Sequence, residues 1–171
     1  FTVNALAIGR DGVVYDYFDG IKDLRNKKLR TVGKAKERFR EDALRLFRAC
    51  RFIGQLDFMA DKSLVRGMAS AFDRVSGLSL ERVREEVEKL LVSPFAARGL
   101  DLLVRTGLNE CRCRIRENGR TEAVKILPEL SHLVDLPQQK NFHKFDGWYH
   151  TLAVVNAAPP TLLLRWAALL H

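Results

Sequence analysis

The residues of this chain whose types and spacing could do chemistry begin with Glu41, Asp42 and Arg45, inside the basic run from Arg38 to Arg51. On a helix, a carboxylate three residues before a guanidinium stands beside it at the surface. An acceptor and a planar set of donors held side by side on a rigid element present a fixed pattern. That pattern can read the hydrogen-bonding edge of a nucleobase, and Arg48 continues the charged face one turn further on. Taken alone, the same residues also describe a solvated face with Glu–Arg pairs, each worth about 0.3 kcal/mol.

The elements that must position these residues are read from periodicity. At about 100° per residue, Phe39, Ala43, Leu46, Cys50 and Ile53 fall on one apolar stripe opposite Glu41, Arg45 and Arg48, which predicts a helix from about Lys34 to Leu56. Before it, Phe1 to Ile8 and Val13 to Phe18 are rich in β-branched and aromatic residues. Gly9-Arg-Asp-Gly12 joins them as a turn, so a β-hairpin is expected. Two strands alone are marginal, so the hairpin reads as the edge of a larger sheet. Leu24 to Val32 reads as a connector with room for one short strand.

After the charged helix, Asp61 is a candidate N-cap for a helix ending near Ser76-Gly77. Ser79 caps another with Leu80, Val83, Val87, Leu90 and Leu91 on one stripe. Ser93-Pro94 opens a third that Gly107 closes. Arg112 to Arg120 reads as a polar loop. Helical patterns resume at Thr121 to Leu130, Trp148 to Ala157 and Thr161 to His171, with Pro159-Pro160 separating the last two.

Charge narrows the partners. The 171 residues carry 29 Lys and Arg against 21 Asp and Glu, a net charge of +8, which favours a polyanion such as nucleic acid. Cys50 lies on the apolar stripe as a small core residue. The Cys111-Arg-Cys113 spacing lacks the second Cys or His pair that a zinc site needs. The odd cysteine count fits a reducing, cytoplasmic setting, and no apolar run is long enough to suggest a membrane span. Phe1 falls within a strand-like pattern and His171 within an apolar one, so both ends read as interior to a longer chain.

Several segments, in order, resemble the bacterial-type (class II) tRNA nucleotidyltransferases and their poly(A) polymerase relatives. Phe1-Thr-Val-Asn-Ala5 is similar to the end of the family's Arg-Arg-Asp-Phe-Thr-x-Asn-Ala motif. Tyr15-Asp-Tyr-Phe-Asp-Gly20 followed by Ile21-Lys-Asp-Leu24 resembles its Asp-x-x-Gly-Gly turn, with Asp19 where the family usually has the first Gly. Arg30-Thr-Val-Gly33, then Glu41-Asp-Ala-Leu-Arg45 with its flanks, resembles the neck signature Glu-Asp-x-x-Arg. Leu80 to Leu90 is similar to the next helical motif. Gln139 to Leu152 and Leu169-Leu170-His171 resemble the stretch that leads into a His-Asp metal motif in many members.

The resemblance implies a mainly α fold, a helical neck and body bundle, with a short N-terminal β-hairpin left from the nucleotidyltransferase head sheet. Residues 1–32 would close the head, 33–92 form the neck, and 93–171 begin the body and an HD-like region. The implied activity is template-independent addition of CMP and AMP to tRNA 3′ ends, or of poly(A) to RNA, with ATP and CTP as substrates. Mg²⁺ would sit on head carboxylates that this sequence does not contain, so the piece by itself would be inactive. Asp42 and Arg45 would read the base; Asn4, Asp16, Gly20, Glu41, Arg48, Arg82 and Arg84 would support the nucleotide. Arg82 and Arg84 fit surface ion pairs with neighbouring Glu residues equally well. His143, His150 and His171 would belong to an HD-type metal site or, failing that, be packing and loop residues. Trp148 and Tyr149 would be packing anchors, or a stacking surface for RNA. The rival readings are a non-catalytic helical RNA-binding module and an HD-type metal phosphohydrolase.

Overall fold

The computed structural model describes residues 1–136 and 146–171. Two short strands, β1 (Leu6–Ile8) and β2 (Val14–Asp16), pair antiparallel with Ala7 opposite Tyr15, closed by the turn from Gly9 to Val13. The expected hairpin therefore forms, but its first strand is shorter than the sequence suggests. Thr2–Asn4 is a turn of 3₁₀ helix, because Thr2 is held elsewhere: its amide donates to the Arg30 carbonyl at 3.0 Å and its hydroxyl to Asp23 Oδ2 at 2.6 Å. Helix α1 (Gly20–Arg25) follows, and β3 (Lys28–Leu29) pairs in parallel with β4 (Met59–Ala60).

The single helix expected from Lys34 to Leu56 is two. Helix α2 (Ala35–Glu41) ends at Asp42, whose backbone is extended (φ −150°, ψ 101°), and α3 (Leu44–Leu56) restarts after Ala43. Only one residue leaves the helical region, so the apolar stripe survives the break: Phe39, Ala43, Leu46, Cys50 and Ile53 are all buried. The segment after Asp61 is likewise divided, into α4 (Lys62–Met68) and a 3₁₀ stretch over Ala69–Gly77. Asp61 is the N-cap expected of it, its carboxylate accepting from the Ser63 amide at 2.8 Å.

Helices α5 (Leu80–Leu91) and α6 (Ala96–Arg105) pack on α3 to form the core, contributing Val83, Val87, Leu90, Leu91, Leu100 and Leu103. The polar loop expected at Arg112 to Arg120 and the helix expected at Thr121 to Leu130 are instead an antiparallel hairpin and a 3₁₀ turn. Strands β5 (Arg112–Glu117) and β6 (Arg120–Lys125) are joined by Asn118 (φ 50°) and Gly119 (φ 77°), followed by 3₁₀ helix at Pro128–Leu133. Asn-Gly meets the positive-φ demand of a two-residue hairpin turn, which decides the outcome for this segment. Helices α7 (Gly147–Ala157) and α8 (Leu162–Leu169) complete a mainly α architecture with two β-hairpins. No helix among the described residues is long and apolar enough to cross a membrane.

Candidate nucleotide and RNA site

The charged junction between α2 and α3 is built by reciprocal capping. Asp42 Oδ1 accepts the Leu44 amide at 3.1 Å, closing the N-terminal end of α3. Arg45 reaches back across the break: its Nη1 donates to the Arg38 carbonyl at 2.8 Å, in the last turn of α2, and to Glu41 Oε2 at 3.0 Å. Arg38 Nη1 binds the same Glu41 oxygen at 2.6 Å. The hydrogen bond from Arg45, with Arg38 behind it, holds the Glu41 carboxyl below the usual carboxylate range. Asp42 Oδ2 forms a long ion pair with Arg45 Nε at 4.0 Å, and both side chains remain about one-third exposed (34% and 27%). Nε and Nη2 of Arg45 make no hydrogen bond among the described residues.

Arg48 sits one turn on, with its guanidinium 5.9 Å from the Phe52 ring and its buried Nε without a hydrogen-bond partner among the described residues. Arg51 is fixed more firmly. Its Nε meets Glu86 Oε2 of α5 at 2.5 Å, its Nη1 meets Gln55 at 2.7 Å, and its guanidinium lies 4.2 Å from the Phe52 ring. The cluster thus sets four cations (Arg38, Arg45, Arg48, Arg51) against three anions (Glu41, Asp42, Glu86), a surplus that suits an anionic ligand.

A second group adjoins it through Phe1. The Phe1 ring packs edge-on to Phe52 at 5.5 Å, on the same α3 segment that carries Arg48 and Arg51. Next along the chain, the Thr2 carbonyl would lie 2.5 Å from a Cβ on Gly20, so only glycine lets α1 approach the first turn. Asp16 accepts from the Gly20 and Phe18 amides at 2.8 and 3.3 Å and, through its other oxygen, from Ile21 at 2.9 Å. Those amides, Ile21 first, hold its carboxyl below the usual range. Asp19 takes the left-handed conformation (φ 60°) that the usual glycine would adopt, which Asp tolerates. Asn4 is exposed at the end of the first turn.

The structure therefore joins Asp16 to Gly20 by a hydrogen bond, and brings Glu41, Asp42 and Arg45 together at the α2–α3 junction with Arg48 one turn further on. Arg82 and Arg84 are not tied to either group: both are exposed, and Arg84 pairs with Glu88 at 2.6 Å, the surface ion pair that its spacing allowed. Sequence reasoning missed Asp23 and Arg30. Arg30 Nε binds the buried Asp23 at 3.0 Å and Arg30 Nη2 takes the Phe18 carbonyl at 2.9 Å, locking the loop before α1. Nothing in their spacing announced a pair seven residues apart across a strand.

Elsewhere, His150 and His171 lie with ring centroids 5.5 Å apart, and His171 Nδ1 is 2.8 Å from the Ala168 carbonyl. His143 lies outside the described residues. Among those described, no three His, Cys, Asp or Glu converge on a possible metal position. Burial raises the Cys50 thiol to about 12 and the Cys111 thiol to about 11. Trp148 is fully buried, its Nε1 donating to Asp101 at 2.9 Å, whereas Tyr149 is exposed beneath the Arg105 guanidinium at 5.3 Å.

The described residues thus form an N-terminal β-hairpin, a two-helix charged junction and a helical core. Residues 1–30 match the family profile "Poly A polymerase head domain" and residues 57–110 match "Probable RNA and SrmB- binding site of polymerase A". The chain belongs to the tRNA nucleotidyltransferase and poly(A) polymerase family. Its relatives there include bacterial CCA-adding enzymes. That of Lactobacillus johnsonii is 38% identical over 168 residues, covering 90% of this chain and 42% of the relative. That of Geobacillus stearothermophilus is 45% identical over 109 residues, covering 64% of this chain and 27% of the relative. The chain thus spans less than half the length of these relatives. The Bacillus stearothermophilus CCA-adding enzyme solved with CTP superposes with a TM-score of 0.62 at 45% identity, over 64% of this chain and 28% of that one. A Thermotoga maritima CCA-adding enzyme solved with tRNA shares the fold at 20% identity, TM-score 0.55, over 98% of this chain and 41% of that one.

Proposed function

We propose that this chain supplies nucleobase selection and part of the RNA-holding surface of a template-independent tRNA nucleotidyltransferase, one that adds CMP and AMP to tRNA 3′ ends. In this reading residues 1–32 close the catalytic head, 33–92 are the neck and 93–171 begin the body. CTP and ATP are the substrates, and Asn4 with the Asp16 to Gly20 turn lines the sugar and phosphate side.

One observation carries the reading. At the α2–α3 junction Asp42 Oδ2 and Arg45 Nε and Nη2 make no hydrogen bond among the described residues, Oδ2 and Nε standing as a long 4.0 Å pair, while Asp42 Oδ1 and Arg45 Nη1 are fixed by their bonds to the helix ends and Glu41. An acceptor beside two donors on a fixed frame can complement a base edge as a paired strand would, with Arg contributing planar geometry. Glu41 is a positioning residue, holding Arg45 through Nη1. Arg48, one turn further along α3, supports the nucleotide. The test is incorporation of labelled CTP, ATP, UTP and GTP into tRNA by the whole protein carrying Asp42→Ala or Arg45→Ala. Loss of one such pair reduces discrimination between bases roughly 10- to 100-fold, with tRNA affinity unchanged. Unaltered base preference in variants that melt normally would overturn the proposal.

A further inference from the structure

The β5–β6 hairpin carries a feature that base selection leaves unused. Along β5 the side chains alternate strictly. Cys113 is buried and Ile115 half-buried on one face, while Arg112, Arg114 and Arg116 are exposed on the other, opposite Lys125, Ala123 and Thr121 of β6. Among the described residues none of the three arginines makes an ion pair or a side-chain hydrogen bond. Glu110 neutralises Lys125 at 2.8 Å, and Glu117 and Glu122 belong to the opposite face of the pleat. Three free guanidinium groups thus stand in a row, two residues apart, at a repeat of about 6.7 Å. That repeat is close to the step between successive phosphates along a nucleic-acid strand.

The ladder is also rigid. The Arg114 amide donates to the Leu78 carbonyl at 2.9 Å, so β5 is stitched to the segment leading into α5. The two strands are joined at the base by Ile126 N to Cys111 O (3.2 Å) and Leu127 N to Asn109 O (3.0 Å). Residues 108–110, immediately before the hairpin, close the segment that matches the RNA-binding profile. A self-repelling row of arginines on an anchored strand has no structural purpose that its neighbours serve.

We propose that the Arg112–Arg114–Arg116 ladder is a phosphate-tracking surface for an RNA strand, each guanidinium taking one phosphodiester, independent of base sequence. The proposal rests on the tRNA nucleotidyltransferase reading for the identity of its polyanion. Each phosphate neutralised adds about 0.7 to 0.9 to the slope of log affinity against log salt, so three contacts contribute about 2 to 3.

The experiment compares the whole protein with the triple variant Arg112→Gln/Arg114→Gln/Arg116→Gln and with the corresponding triple Lys variant. Binding of fluorescent tRNA is followed by anisotropy from 0.05 to 0.4 M KCl. The Gln triple should bind on the order of a hundredfold more weakly at 0.1 M salt, with the slope reduced by about 2. The Lys triple should keep most of the slope, because point charges still neutralise phosphates. Preference for CTP and ATP over UTP should be unchanged in both, which separates failure of the ladder from failure of the base-selection reading. An unchanged slope in a Gln triple that melts like the parent overturns the ladder. So does an unchanged tRNA affinity accompanied by lost binding to phosphatidylserine vesicles, which would assign the row to a membrane surface.

Discussion

The contact that orients the charged helix is the Arg51–Glu86 pair, and removing it gives a quantitative test of how α3 is held. The pair joins α3 to α5 at 2.5 Å, with only 12% and 11% of the two side chains exposed. Truncating one partner of a buried pair typically costs about 3–5 kcal/mol, because a desolvated charge is left behind. Here Glu86→Ala should cost less, about 2–3 kcal/mol, since Arg51 keeps Gln55 at 2.7 Å and the face of Phe52 at 4.2 Å. For a chain of this size, about 2–4 °C per kcal/mol makes that a fall in melting temperature of roughly 5–10 °C. Arg51→Met combined with Glu86→Leu should recover most of the loss, since apolar groups of similar size replace buried pairs at little cost. The assay is thermal and urea unfolding by circular dichroism at pH 7, repeated in 0.5 M NaCl. The buried pair should be nearly insensitive to salt, unlike the exposed Lys34–Glu37 pair. Two results would refute the reasoning: a Glu86→Ala cost below about 0.5 kcal/mol, or a double variant as destabilised as the sum of its singles.

Two further outcomes follow from packing and titration. Gly99→Ala places a Cβ 2.2 Å from the Cys50 carbonyl oxygen and 2.5 Å from Leu90 Cδ1; because that oxygen belongs to the α3 backbone, overpacking of about 1–3 kcal/mol should outweigh the gain of about 1 kcal/mol in helix propensity, and differential scanning calorimetry should show a lower melting temperature. Lys28, with Ser63, holds the Asp61 carboxyl well below its ordinary range; a depressed folded value means that its stabilisation is complete above the unfolded value near about pH 4 and is lost as pH falls further. Asp61→Asn should therefore flatten the melting temperature between about pH 4 and 2 relative to the parent, and an unchanged acid limb in melts across that range would refute it.

Much of the fold was legible because burial follows helical periodicity. The stripe from Phe39 to Ile53 and that from Val83 to Leu91 are buried as their spacing requires. Periodicity could not reveal the break at Asp42, since one non-helical residue barely rotates the stripe. The signal was instead chemical: Asp prefers a cap to a helix interior, where its side chain competes for backbone amides. At Asn118-Gly119 the turn signal was present in the sequence. The density of Arg and Glu around it hid the strands, because such residues are weak β formers when their packing partners are unknown. The site was half legible. Asp42 and Arg45 come from spacing and family resemblance, whereas Asp23–Arg30 and Arg51–Glu86 are contacts made only by tertiary folding.

The break at Asp42 also bears on the choice between a solvated ion-pair face and a nucleobase reader. In an unbroken helix, Glu41, Asp42 and Arg45 would be neighbours with freely turning side chains, and pairing would leave little fixed geometry. The break gives each of them a backbone task. Arg45 covers a last-turn carbonyl of α2, where a cation is favoured, and Asp42 covers a first-turn amide of α3, where an anion is favoured. Each task occupies one polar atom of its side chain and leaves Asp42 Oδ2 and Arg45 Nε as a long 4.0 Å pair without a hydrogen bond. The segment is consequently more rigid than a surface pair and less self-satisfied than a structural one. A residual acceptor and residual donors, locked by the same capping that ends one helix and begins the next, are what recognition without a template strand requires.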